Sequence, residues 1–235
     1  MVAKEPSLDN LWLARTLFDI GAVQFGEFTV SQSAAKSPIF INPKRLISSP
    51  PALRVAAKLI DLEVQLAQSL RRPRIQPFEV VAGIPVGGLM LAIAYSLETS
   101  TPTIYPRMSQ QGTGTRGIEG DFRSGMRALM VDDLITTGSN SIEMARFLAE
   151  NDIVVKDVIV LIDREQGATE QLKHYGLNLI SILKLEVMLN HYHSLGLIDQ
   201  EMFERCVEYV RTHQAPPKAP MDVPDMPAFP EEEMN

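Results

Sequence analysis

From residue 79 onward the chain repeats one unit: a short apolar run, a turn of glycine or small polar residues, then an amphipathic stretch. Runs at 79–82, 103–105, 129–131, 158–162 and 179–182 have the length of strands, and helical patterns begin near Val86, Ser139 and Glu165. Strands of this kind, apolar along their whole length, need cover on both faces. A parallel sheet with crossover helices supplies it. The expected fold is therefore α/β, a central parallel sheet flanked by helices. Ligands of such sheets sit beyond the carboxyl ends of the strands. Gly83, Asp132, Asp133 and Arg164 each closely follow a predicted strand, which places them along one rim.

Before this repeat, residues 8–20 carry Leu11, Leu13, Ala14, Leu17, Phe18 and Ile20 on a helical pattern that ends at Gly21. Short strands follow at 27–30 and 38–41, then a helix over about 51–70 with Leu53, Ala57, Ile60, Val64 and Ala67 on one stripe. Residues 106–122 interrupt the rhythm with a polar, glycine-bearing segment, which reads either as a mobile lid or as a surface hairpin. The last helical stretch covers 200–211. Dense proline and a run of three glutamates then mark 213–235 as a disordered tail.

The run Ala128-Leu-Met-Val-Asp-Asp-Leu-Ile-Thr-Thr-Gly-Ser-Asn carries the chemistry. An apolar strand stops at two adjacent carboxylates, and a helix begins after a turn of small residues. Carboxylates accept hydrogen bonds from sugar hydroxyls. Thr136, Thr137, Gly138, Ser139 and Asn140 offer hydroxyls and backbone N–H groups at a helix N-terminus, where anions bind well. A simpler reading also fits: an exposed acidic turn whose polar residues cap the helix, with Asn140 and Glu143 as a capping box.

The whole composition limits the remaining function classes. The formal charge is −7 and no Lys/Arg cluster occurs, which argues against a nucleic-acid surface; an anion site must be built locally. The single Cys206 rules out an internal disulfide and fits a cytoplasmic location. No run of about 18 apolar residues predicts a membrane span. His191 and His193 stand two apart, which on a helix turns them in different directions, and the four histidines form no metal motif.

The acidic run resembles the 5-phosphoribosyl diphosphate (PRPP) signature of type I phosphoribosyltransferases, and further blocks narrow the likeness to the orotate phosphoribosyltransferase family. Ser37-Pro-Ile-Phe-Ile-Asn and Leu46-Ile-Ser-Ser-Pro resemble that family's N-terminal hood. Val81-Ala-Gly-Ile-Pro-Val-Gly-Gly resembles its pyrophosphate loop, and Leu161-Ile-Asp-Arg-Glu-Gln-Gly the strand end whose arginine faces orotate. Ile104-Tyr-Pro-Arg and Gly117-Ile-Glu-Gly bracket a segment like its catalytic loop. The likeness implies one domain over about 1–212, with a hood at about 8–50, a core at 51–185 and C-terminal helices at 186–212. It implies ribose 5-phosphate transfer from PRPP to orotate, with Mg²⁺ bound through PRPP and water near Asp132, and a homodimer.

By the same resemblance, Asp132 and Asp133 hold ribose hydroxyls, and residues Thr136 to Asn140 cradle the 5-phosphate. Gly83, Ile84, Pro85, Val86, Gly87 and Gly88 admit the pyrophosphate. Arg107 and Arg116 serve the leaving group, while Arg164 and Lys36 contact the base. Two blocks depart from the family pattern. Residues 107–117 contain neither lysine nor histidine, and Ser31-Gln-Ser stands where the family carries Lys-Ser-Gly. Two further readings thus stay open: transfer to a different base, or a catalytically weak protein that binds PRPP or a nucleotide for regulation.

Overall fold

The computed structural model describes residues 7–29, 36–107 and 117–214. Asp9 begins the fold by accepting a bond from the Leu11 N–H, capping helix α1 (Asn10–Asp19). Strands β1 (Val23–Thr29) and β2 (Lys36–Ile41) pair antiparallel. A 3₁₀ turn, Pro43–Ser48, then leads into helix α2 (Pro50–Ser69). Pro50 and Pro51 open α2, where a missing N–H costs nothing because the first turn has no carbonyl to bond.

The βα repeat follows: β3 (Val80–Gly83), α3 (Gly87–Thr99), β4 (Thr103–Arg107), β5 (Gly117–Glu119), β6 (Arg127–Ile135), α4 (Ser139–Ala149), β7 (Val154–Asp163), α5 (Ala168–His174) and β8 (Asn178–Lys184). These strands form one sheet in the order β5-β4-β3-β6-β7-β8, with β5 antiparallel and the rest parallel. The order reverses between β3 and β6. Chain connections diverge there and leave a crevice at the strand ends, which is where ligands of open α/β sheets bind.

Both faces of the sheet are covered, as the unbroken apolar runs require. One core joins Leu13 and Leu17 of α1, Ile60 of α2 and Leu91 of α3 to Val81, Leu129 and Leu161 of the sheet. The opposite core joins Val80, Ile104, Met130 and Val160 to Leu148 of α4 and Leu172 of α5. Helix α6 (Leu185–Ser194) and helix α7 (Gln200–Thr212) complete the first core. Buried Tyr192 of α6 donates to the Ala14 carbonyl at 2.7 Å and packs against Phe18 and Phe25, tying the β1–β2 hairpin to α1 and α6.

The structure corrects three expectations and bears on a fourth. Strand β6 does not stop at the acidic pair: its ladder with β7 continues through Asp132 to Ile135, opposite Asp163, because β7 is long enough to pair it. Helix α5 begins at Ala168, not near Glu165. Asp163 accepts the Glu165 N–H at 2.7 Å and holds an intervening turn in which Glu165 has φ 57°. The Asn140–Glu143 capping box does not form, since the cap of the helix is two residues earlier, at Gly138. In the polar segment at 106–122, β4 and β5 are the arms of a hairpin. The proposed lid between them, 108–116, lies outside the described residues, as do the tail at 215–235 and the Ser31-Gln-Ser block.

Candidate active site

The crevice between β3 and β6 brings together the two halves of the expected PRPP site. The Ile84 N–H donates to the Val131 carbonyl at 3.0 Å, fixing the glycine loop to β6 one residue before the acidic pair. Gly87 then lies directly beneath the Asp133 carboxyl group: a Cβ added there would stand 2.2 Å from Asp133 Cγ. A side chain at Gly87 would displace that carboxyl group, and at Gly88 a Cβ would stand 2.2 Å from the Val131 carbonyl oxygen, where only glycine fits. The Pro85–Val86 peptide bond in the loop is cis.

Asp132 and Asp133 are both 7% exposed. Asp132 Oδ1 accepts the Asp133 N–H at 2.8 Å, whereas buried Asp133 Oδ2 has no hydrogen-bond partner. Burial, and then the charge of Asp133, push the Asp132 carboxyl well above the usual carboxylate range, and the Asp133 N–H, followed by Lys44, pulls it back only partly. A buried acceptor without a donor is costly. Donors arriving with a ligand, such as sugar hydroxyls or metal-bound water, would relieve that cost.

After β6 the chain bends through Thr136 and Thr137 into α4. Gly138 occupies the cap with φ 82°, a conformation that disfavours side chains, and no side chain caps the helix. The first N–H groups of α4 are thereby left for an anion. Thr137 and Ser139 share a 3.1 Å hydrogen bond between their hydroxyls, and Ser139 and Asn140 are exposed at the mouth.

Arg164 follows β7, the neighbour of β6, and its N–H donates to the Ile135 carbonyl at 3.0 Å. Its side chain is buried, with Nε and Nη2 unpartnered, against the Tyr209 hydroxyl and Cys206 thiol of α7. Burial lowers its pKa. Burial also raises the Cys206 thiol to about 11, which makes it a packing residue and a poor nucleophile.

The remaining candidates sit apart from the acidic pair. Arg107 is at the end of β4, two strands from β6, with Nη1 3.5 Å from Glu119 Oε1. Arg116 lies outside the described residues. Lys36 is held at 2.6 Å by Glu27 on the β1–β2 hairpin, beside a cleft of about 470 Å³ that also touches Arg205 and Tyr209 of α7. The lysine that does reach the acidic pair is Lys44, whose Nζ is 3.6 Å from Asp133 Oδ2. Sequence reading passed over it because it sits in the 3₁₀ turn between two more telling blocks.

A parallel sheet of this order, with a glycine loop and an acidic pair meeting at its switch point, is the fold of the type I phosphoribosyltransferases. No family model matches the chain. Curated relatives do: it is 35% identical over 172 residues to the orotate phosphoribosyltransferase of Pyrococcus abyssi, covering 73% of this chain and 90% of that one. The bifunctional enzyme PyrF/PyrE of Nostoc sp. is 32% identical over 188 residues, and there the chain spans 37% of the relative. The crystal structure of orotate phosphoribosyltransferase from Aeropyrum pernix superposes with a TM-score of 0.67 at 34% identity, over 80% of this chain and 99% of that one. The chain belongs to the orotate phosphoribosyltransferase family.

Proposed function

We propose that the protein transfers the 5-phosphoribosyl group of PRPP to orotate, forming orotidine 5′-phosphate and pyrophosphate. The observation that carries this reading is the stacking of the Asp133 carboxyl group on Gly87, with Arg164 anchored to the end of the same strand. In the reaction the bond from ribose C1 to the diphosphate breaks, and one from C1 to a ring nitrogen of the base forms. Positive charge grows on the ribose while negative charge grows on the leaving group. Buried carboxylates at the ribose stabilise the first, and cations around residues 83–88 the second. The open N-terminus of α4 receives the 5-phosphate, and Arg164 pairs with the carboxylate that distinguishes orotate from other pyrimidines.

Mg²⁺ fits this site as a cation carried by PRPP. Among the described residues no group of three His, Cys, Asp or Glu side chains could hold a metal by itself. Asp132 and Asp133 instead offer acceptors to its water shell, and when bound it supplies positive charge to the diphosphate. No described helix is long and apolar enough to cross a membrane. A cytoplasmic site of action fits the single, buried cysteine.

An acceptor panel tests the base. With PRPP and Mg²⁺ present, pyrophosphate release should depend on orotate and be at least about 100-fold slower with uracil, because a buried site built for a charged group rejects analogues lacking it. Equal release with both would contradict the assignment. The second reading, a PRPP-binding protein of weak turnover, draws on the lack of lysine and histidine in residues 108–116. It predicts PRPP binding without orotate-dependent release.

Assembly as a homodimer is part of the same proposal. Leu62, Leu66 and Leu70 recur along one side of α2 and its C-cap, and Ile93 and Leu97 along α3, all exposed, with Leu97 at 83%. The two helices are neighbours, linked by the Lys58–Glu98 ion pair. Leu66→Glu combined with Leu97→Glu should shift the protein from dimer to monomer at micromolar concentration in sedimentation velocity. A double variant that sediments as the parent would remove this face from the interface.

A further inference from the structure

We propose that Lys44 is a transferable counter-ion: it holds Asp133 in the ligand-free protein and turns to the diphosphate of PRPP when ribose hydroxyls take its place. The inference rests on the proposed PRPP site for the identity of its ligand, and on three features of the structure for its geometry. The ammonium of Lys44 is 3.6 Å from Asp133 Oδ2, an atom that is buried and accepts no hydrogen bond. At that distance the ammonium neutralises charge without a directional bond, so leaving Asp133 costs little. The same carboxyl group lies against Gly87 of the glycine loop. Lys44 and the place assigned to the diphosphate therefore share one carboxyl group as neighbour. Lys44 is also about half exposed, on a stem free to pivot at the crevice mouth.

This arrangement answers a deficit in the sequence. Residues 108–116 contain no lysine, and the other hood lysine, Lys36, is engaged by Glu27. Lys44 is the lysine that the described structure brings to the acidic pair. Its role is that of a positioning residue for the carboxylates before binding, and of a diphosphate ligand after it.

The test compares ligands with and without a diphosphate. Calorimetric affinities for PRPP, pyrophosphate and ribose 5-phosphate are measured with Mg²⁺ for the parent, Lys44→Gln and Lys44→Arg. Loss of one charge-assisted contact should weaken PRPP and pyrophosphate by about 10-fold to 100-fold in Lys44→Gln. Ribose 5-phosphate, which needs Asp133 but offers no diphosphate, should bind as tightly as before or more tightly. Lys44→Arg should restore most of the PRPP affinity. Equal weakening of all three ligands would show that Lys44 only organises Asp133 and would overturn the proposal, as would no change in any. The orotate reading fails separately, if the parent binds PRPP but forms no orotidine 5′-phosphate.

Discussion

Replacing Arg164 by leucine is expected to raise the KM for orotate by about 100-fold or more while leaving PRPP affinity near that of the parent. The guanidinium is buried with two nitrogens unpartnered, and burial depresses its pKa. The ligand-free protein thus carries a charge that it does not fully satisfy. An incoming carboxylate completes the pair. Removing one member of a buried, hydrogen-bonded charge pair costs about 2–5 kcal/mol in binding, most of it from the ion left alone. The second half of the prediction runs the other way. With no carboxylate bound, leucine removes an incompletely paired charge from a packed region, so the unliganded variant should melt at a higher temperature than the parent. Steady-state kinetics with orotate, PRPP calorimetry and thermal melts together check the account. A parallel loss of PRPP affinity would show that Arg164 supports the fold of the crevice and does not read the base.

Asp132→Asn should lower turnover by about 10²–10³-fold, the usual effect of removing one preorganised group from a developing charge, and should stabilise the empty protein at neutral pH. The pH dependence follows from the direction of the shift. Burial, reinforced by Asp133, raises the folded-state pKa of Asp132 above its unfolded value. Protonated Asp132 therefore favours the folded state. That contribution is complete below the unfolded pKa, about 3.9 for aspartate, and is lost as pH rises through the folded value. Above the unfolded pKa the parent bears the cost of burying a carboxyl group that prefers its proton, and the asparagine variant does not. The variant keeps an oxygen to accept the Asp133 N–H. Melting curves of the two proteins should diverge as pH rises above about 4, with the variant the more stable. Curves that stay parallel would mean that burial does not raise the Asp132 pKa.

The parallel sheet was legible because Val158 to Ile162, all buried, form an apolar run that few other folds can accommodate. The cradle was legible for a related reason. Glycine at 83, 87 and 88 and small polar residues at 136–140 are informative wherever backbone and ligand must come close. What stayed hidden depends on contacts between distant segments. Strand β6 runs through two carboxylates because β7 extends far enough to pair with it, and no local pattern carries that information. Lys44 meets Asp133 across 89 sequence positions by way of a 3₁₀ turn, so neither residue's neighbours reveal the pairing. The cover that α7 gives Arg164 through Tyr209 is equally non-local. Lys36 is a candidate only through the resemblance, as a shifted stand-in for the family's hood lysine. The structure pairs it with Glu27 and sets it on the cleft that Tyr209 also lines.

In the proposed reaction one crevice binds PRPP and passes its ribosyl group to orotate, despite the lysine-free segment at 108–116. The most direct measurement mixes the protein in excess over PRPP with orotate and Mg²⁺, quenches in acid, and identifies products by mass spectrometry, with PRPP binding measured in parallel. The account predicts stoichiometric conversion to orotidine 5′-phosphate and pyrophosphate, lost in Arg164→Leu at sub-saturating orotate. Bound PRPP recovered unchanged beside unchanged orotate would contradict it.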